Sequence, residues 1–129
     1  MEINVSSSDR LKLLAILRDY STLPEYCGFE DVNVNTKSLF GDFPINVAAT
    51  RGNIEEISIL LKFGANIHAK GEHGYTPLHN AVEQGHLDAV KFLLVHGANK
   101  NELNDNGDSA ISLSVLLEED TIMSFLRNQ

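Results

Sequence analysis

The sequence predicts an all-α fold in which short pairs of helices stack into a solenoid, and three observations lead to this prediction. Residues 41–73 and 74–106 align at an offset of 33 with nine identical positions. Apolar residues in each unit recur at helical spacing in two stretches. The stretches are separated by glycine and followed by segments rich in Asn, Asp and Gly, which favour turns. Such a unit cannot bury its apolar face alone, so the units must stack.

The first predicted element is a helix over residues 9–20. Ser8 or Asp9 stands before it as the N-cap, a position that favours short polar side chains. One face of the helix is apolar and consists of Leu13, Ile16, Leu17 and Tyr20. We expect this helix to cap the stack and to shield the apolar residues of the next unit.

Residues 21–40 fit no repeat, and a structureless stretch of that length is unusual in a compact domain. We expect a helical turn near Pro24 to Gly28, followed by a hairpin-like loop that ends at Gly41. Phe40 and Phe43 flank that glycine, and we expect both in the core beneath the segment rather than in an exposed apolar patch.

The unit 74–106 shows the pattern most clearly. Thr76 is placed to cap a helix that begins at Pro77, and Gly85 ends it. A second helix ends at Gly97, and a polar, turn-rich loop follows. The apolar stripes of the two helices are Leu78, Ala81 and Val82 in the first, and Leu87, Val90, Leu93 and Leu94 in the second.

These motifs resemble the ankyrin repeat. Thr76-Pro77-Leu78-His79 matches the family's signature tetrapeptide, while Gly85-His86 and Gly97-Ala98-Asn99 match its two turns. The match is strong over 74–106, good over 41–73 and weaker over 107–126. The resemblance implies an ankyrin-repeat solenoid of helix-turn-helix units with hairpin loops and atypical terminal capping repeats. It also implies that His79 bonds the backbone of a neighbouring repeat.

The third unit is a truncated copy of the repeat. We expect the whole chain to form one domain that consists of four parts. Glu118-Glu119-Asp120 replaces the Gly-His turn, and acidic residues suit the start of the last helix. The predicted parts are an N-terminal capping helix and irregular segment at 1–40, repeats at 41–73 and 74–106, and a truncated C-terminal capping repeat at 107–129.

Charge narrows the function classes. The chain has 10 Lys and Arg residues against 18 Asp and Glu residues, a net charge of −8. Nucleic acids and anionic membranes attract basic surfaces, so we expect neither as a partner and expect a basic protein instead. The first residues, Met1 to Asn4, do not resemble a signal peptide, and we expect a cytoplasmic protein.

Residue spacing offers little for catalysis. No histidine pair has the i, i+4 spacing of a zinc site, and no phosphate-binding loop or nucleophile elbow is present. Cys27 is the single cysteine and is expected to act as a small apolar residue. We therefore expect no enzyme, no metal, no cofactor and no small-molecule substrate. A hydrolase or metal enzyme using Cys27 and a histidine is the less favoured alternative.

The resemblance implies that partners bind the loop tips and the exposed side of each first helix, on the concave face. Tyr75 is the best single anchor, because aromatic residues are enriched among binding hot spots; alternatively, it packs on a neighbouring loop. Leu116 and Leu117 are either exposed anchors or core. Position by position, the expected partner-binding residues are Asp42, Thr50, Arg51, Glu72, His73, Tyr75, Glu83, Gln84, Asp105, Asp108, Leu116 and Leu117.

Two functions compatible with the resemblance remain open. In the first, the chain grips one basic protein partner and inhibits it, as an immunity protein neutralises a cognate toxin. In the second, it is an adaptor or scaffold subunit that holds partners together without inhibiting them. The segment 107–129 carries four acidic residues and one basic residue, so a basic partner would be steered toward the loop 102–108 and the third repeat; alternatively, the acidic residues only maintain solubility.

Overall fold

Helical pairs at the predicted offset form the body of the molecule. A computed structural model describes residues 5–129 and contains seven α-helices, with no β-strand in that range. The all-α solenoid prediction is confirmed. Residues 1–4 of the predicted N-terminal part, including the segment compared with a signal peptide, lie outside the described residues. The helices are α1 Ser7–Ser21, α2 Pro44–Arg51, α3 Ile54–Lys62, α4 Pro77–Glu83, α5 Leu87–Val95, α6 Ala110–Leu116 and α7 Asp120–Arg127.

Capping side chains mark the beginnings of α4 and α6, and glycines follow the ends of α2 and α4. The Thr76 side chain accepts a hydrogen bond from the His79 amide at 3.3 Å, and Ser109 caps α6 in the same way. Gly52 and Gly85 lie just beyond the first helices with φ of 67° and 73°, a left-handed conformation that glycine adopts without steric cost. Each predicted helix-turn-helix unit therefore forms as two antiparallel helices joined by a tight turn.

The helices pack in two rows. α2, α4 and α6, the first helices of the three units, pack side by side, while the second helices α3, α5 and α7 form the other row. Ala48, Ala81 and Ser114 occupy equivalent positions in the first row and are each fully buried. Small side chains at these three positions allow neighbouring helices to approach closely, so one core runs through all three units.

The N-terminal helix caps the second row by packing on α3. Ile16 and Tyr20 are buried as predicted, and the Tyr20 hydroxyl donates to the Glu56 carboxylate. The predicted cap at Ser8 or Asp9 was wrong by about half a turn. Ser6 is the cap, and Asp9 is its partner in a capping box, so Asp9 lies inside the helix.

The irregular segment contains the predicted helical turn, at Pro24–Tyr26. Its later part folds back as a loop: the Ser38 amide donates to the Asp42 carbonyl and the Leu39 amide donates to the Glu25 carbonyl, each at 2.8 Å. Phe43 packs against the core as predicted. The prediction for Phe40 was wrong, because its side chain is 57% exposed.

Candidate partner-binding surface

The loop tips are held by buried side chains that cross from one repeat to the next. His79 Nε2 donates to the carbonyl oxygen of Asp108 at 2.8 Å. Asn46 occupies the equivalent position one repeat earlier, and its amide donates to the carbonyl oxygens of Ala69 and Tyr75 at 3.0 and 3.2 Å. The predicted role of His79 between repeats is confirmed, and Asn46 performs it without the histidine.

His79 is built to remain neutral. The ring is 1% exposed, and with Nε2 carrying the proton, Nδ1 accepts from the Thr76 amide at 3.2 Å. Burial lowers the pKa of the imidazole, because desolvation penalises its charged form. The electrically neutral ring therefore fixes the loop that precedes α6.

A cleft of about 150 Å³ opens between the first and second repeats. It lies where α2, α4 and the loop before α4 meet. The structure thus brings together six of the twelve predicted residues and adds Asn80, which sequence reasoning missed. The lining residues are Asp42, Thr50, Glu72, His73, Tyr75, Asn80 and Glu83.

Tyr75 combines the two roles that the sequence left open. Its ring lies 5.5 Å from the His79 ring, centroid to centroid, and packs against the core while lining the cleft. Burial, together with the neighbouring Glu83 carboxylate, raises the pKa of Tyr75 to about 12. The ring is therefore held in place and carries an un-ionised hydroxyl at physiological pH.

Carboxylates dominate the electrostatics of this region. An Asp42 carboxylate oxygen accepts a hydrogen bond from the Glu72 amide at 2.9 Å, which joins the two loop tips. Glu25, from the irregular segment, lies close to both. Burial raises the pKa of the Glu25 carboxyl, and the Asp42 and Glu72 carboxylates add to the shift. The repeat pattern gives no signal for Glu25, because the irregular segment has no counterpart in the other units.

Arg51, a predicted partner contact, makes several contacts within the molecule. One of its guanidinium nitrogens, Nη1, donates to the Asp19 carboxylate at 2.9 Å, and the guanidinium carbon lies 4.6 Å from the centroid of the Tyr20 ring. A weaker ion pair joins it to Glu56 at 3.5 Å. Arg51 therefore attaches the end of α1 to the first repeat, and its place in a partner interface stays a prediction.

The remaining predicted residues lie outside the cleft. Gln84 is exposed at the end of α4. In the third unit Leu116 and Leu117 occupy the positions equivalent to Glu83 and Gln84, with exposures of 65% and 43%. Of the two alternatives for these leucines, exposure is the correct one. The Asp105 amide donates to the His73 carbonyl at 3.0 Å, and its side chain is exposed. Asp108 is half-buried, and its backbone carbonyl accepts the hydrogen bond from His79.

The described part of the chain offers little of the geometry that enzymes use. Within residues 5–129, His, Cys, Asp and Glu side chains form no group of three or more placed to hold a metal ion. Cys27 is a free thiol that is exposed rather than packed as a small apolar residue. None of the helices in the same range combines the length and apolar character that a membrane crossing requires.

Stacked helix pairs, loops fixed by buried polar side chains and an open cleft between repeats define a solenoid protein-interaction module. A family model described as ankyrin repeats (3 copies) matches residues 11–104, more than half of the chain. The chain belongs to the ankyrin-repeat family, whose members are in general protein-interaction modules without catalytic activity. No curated protein matches the sequence.

Proposed function

We propose that this chain binds one basic protein partner through its first-helix surface and inhibits it, without catalysing a reaction. The first-helix surface consists of the cleft, its flanking loop tips and the exposed ends of α4 and α6. The cleft carries the proposal: its lining, all within residues 5–129, includes three carboxylates and no lysine or arginine. Such a surface favours a cationic counterpart.

The rest of the surface supports the same partner. Asp105 and Asp108 continue the acidic character into the loop before α6. The exposed Leu116 and Leu117 add apolar area beside it, as expected of an interface that combines apolar contacts with a polar rim. With a net charge of −8, long-range attraction would speed encounter with a basic protein.

Inhibition is the form of binding that we favour. An interaction module can inhibit by covering a surface of its partner, and an acidic module is suited to cover a basic active site. An immunity protein that neutralises a toxin in the cytoplasm is the specific version of this proposal. The second candidate, an adaptor that tethers partners, uses the same surface, because exposed loop tips in three units give it room for more than one contact.

Association kinetics test the charge argument. Reversing two charges in Asp105→Lys/Asp108→Lys should slow association with the captured partner by about tenfold or more at low salt and flatten the salt dependence. The matched control is Glu30→Lys/Asp31→Lys, a double reversal at exposed positions of the irregular segment, which should leave the rate within about twofold. Equal slowing by both double variants would show that net charge, and not this surface, matters.

Partner activity separates inhibitor from adaptor. If the chain is an inhibitor, saturating amounts abolish the partner's activity, and co-expression rescues a host that the partner alone kills. A partner that remains fully active when bound, together with capture of a second protein in the same complex, would establish the adaptor instead.

A further inference from the structure

We propose that the cleft between the first two repeats is a socket for a single arginine side chain of the protein partner. The inference rests on the proposed function and names the chemical group that the surface recognises. Four properties of the cleft lead to it: its size, its carboxylates, its aromatic wall and one buried amide.

The size fits one side chain. Pockets for drug-sized ligands span roughly 300–1,000 Å³, whereas this cleft encloses about 150 Å³. It is also open to solvent between two loop tips, so a side chain projecting from another protein can enter. A single long side chain fills this space, whereas a larger ligand does not.

The charges and the aromatic wall specify a cation with a flat face. Glu72 and Glu83 are exposed carboxylates that line the cleft together with Tyr75, and Asp42 is the third lining carboxylate. A guanidinium group stacks on an aromatic ring and donates to carboxylates in pairs, which an ammonium group does not. Because the Tyr75 ring is fixed against His79, little conformational freedom is lost when a guanidinium stacks on it.

Asn80 supplies the observation that is independent of charge. Its side chain is 7% exposed, and its carbonyl oxygen accepts from Asn46 Nδ2 at 3.0 Å. The Asn46 amide is itself oriented by two backbone carbonyls, so the Asn80 amide is oriented in turn. Among the described residues no acceptor takes the Asn80 Nδ2 hydrogens, and Asn80 lines the cleft.

Asn104 Nδ2, and not Asn80 Nδ2, is the buried side-chain donor without a partner among the described residues, so the Asn80 Nδ2 group reaches the open cleft. A ligand carbonyl in the cleft can accept a hydrogen bond from this oriented amide. The peptide carbonyl beside a bound arginine is such an acceptor. The cleft thus offers carboxylates and a ring to the guanidinium, and the Asn80 amide to the adjoining backbone. A free metal ion or a simple amine satisfies only the carboxylates.

The test is a titration of the whole chain, labelled with ¹⁵N, with three capped tripeptides followed by NMR. Acetyl-Gly-Arg-Gly-amide should shift the signals of the Asn80 side-chain amide and of the backbone amides of 73–76 and 78–80 in a saturable manner, with a dissociation constant in the millimolar range. The citrulline tripeptide, which keeps the shape without the charge, should bind about tenfold more weakly or worse. The lysine tripeptide, which keeps the charge without the flat face, should bind at least about threefold more weakly.

Two variants make the result specific to the cleft. Glu83→Gln removes a lining carboxylate at an exposed position and should weaken binding of the arginine tripeptide by at least about threefold. Glu30→Gln makes the same change outside the cleft and should leave binding unchanged. Equal binding of the arginine and lysine tripeptides, an effect of Glu30→Gln as large as that of Glu83→Gln, or the absence of saturable shifts at Asn80 would each overturn the socket.

Failure of the socket and failure of the proposed function give different results. If the tripeptide does not bind but association with the partner still depends on Asp105 and Asp108, the socket is wrong and the proposed function stands. If the tripeptide binds at Asn80 but the rate of partner association does not depend on Asp105 and Asp108, the proposed steering by these residues is wrong and the socket stands.

Discussion

Neighbouring repeats are joined by a side chain placed at the same position in consecutive units. Asn46 donates to the Tyr75 carbonyl, and His79, 33 residues later, donates to the Asp108 carbonyl, itself 33 residues beyond Tyr75. The tetrapeptide motif indicates this bond for His79. It gives no indication for Asn46, where the motif's histidine is absent and only the offset aligns the two residues.

His79 makes stability depend on pH in a defined direction. Its pKa is lowered in the folded state from an unfolded value of about 6.5, so the unfolded state binds more protons as the pH falls through that value. The stabilisation by the neutral ring is therefore complete above about pH 6.5 and is lost at lower pH.

The variant His79→Asn tests this, because asparagine already makes the equivalent bond in the first repeat. At pH 7.5 it should lower the free energy of unfolding by about 1 kcal/mol, and the difference from the parent should shrink toward pH 5. Urea denaturation followed by circular dichroism at a series of pH values measures both. A difference that is constant with pH would show that His79 does not titrate on unfolding.

At the scale of the helix, the third unit departs from the other two at one turn. Glu118 has φ of 58° at the position that glycine occupies in Gly52 and Gly85. A residue with a Cβ is strained there, at a cost of roughly 1–2 kcal/mol. The sequence shows that Glu118 replaces the glycine of the other two units, but it does not show that Glu118 keeps the left-handed conformation. The fold retains the turn in spite of the strain.

Glu118→Gly should therefore stabilise the protein. We expect a gain of about 0.5–1 kcal/mol in the free energy of unfolding, since the greater flexibility of unfolded glycine offsets part of the relief. Glu118→Ala is the matched control, because it removes the same carboxylate and keeps the Cβ; it should gain clearly less in the same urea titration. Equal gains in both variants would assign the effect to charge instead of to strain.

Leu93 tests the predicted stripe of the second helices. Its side chain is fully buried in α5, so Leu93→Ala should cost roughly 2–5 kcal/mol. Leu14→Ala, at a leucine of α1 that is 59% exposed, should change stability by less than about 0.5 kcal/mol. Thermal and urea unfolding measure both variants, and a loss under about 1 kcal/mol for Leu93→Ala would contradict its place in the core.

Repetition explains which elements could be predicted. Helices α2 to α7 follow from turn residues and apolar stripes that recur at the offset of 33. The irregular segment has no second copy, so its tertiary contacts could not be predicted from the sequence. Phe40 is exposed, and Glu25 lies near the Asp42 and Glu72 carboxylates. The hydrogen bond from the Leu39 amide to the Glu25 carbonyl holds Glu25 in this place. Asn80 was missed because its importance depends on its bond with Asn46.

At the scale of the whole molecule, acidic residues from separate parts of the chain collect on one surface. Asp42 and Glu72 meet across the first two repeats, Glu83 lies at the end of α4, and Asp105 contacts the His73 loop through its amide. The offset predicts that equivalent loop tips align along the stack. The open cleft between two of them follows only from how closely α2 and α4 pack.

The most direct test of this surface is an affinity capture of its partner from native lysate. The wild-type chain, Tyr75→Ala and Glu83→Lys/Gln84→Ala are compared with Glu30→Lys as the control, and captured proteins are identified and quantified by mass spectrometry. We predict one basic partner in stoichiometric amount, retained by the wild type and by Glu30→Lys and strongly reduced with both surface variants. A partner that both surface variants retain at the wild-type level would contradict binding at the first-helix surface.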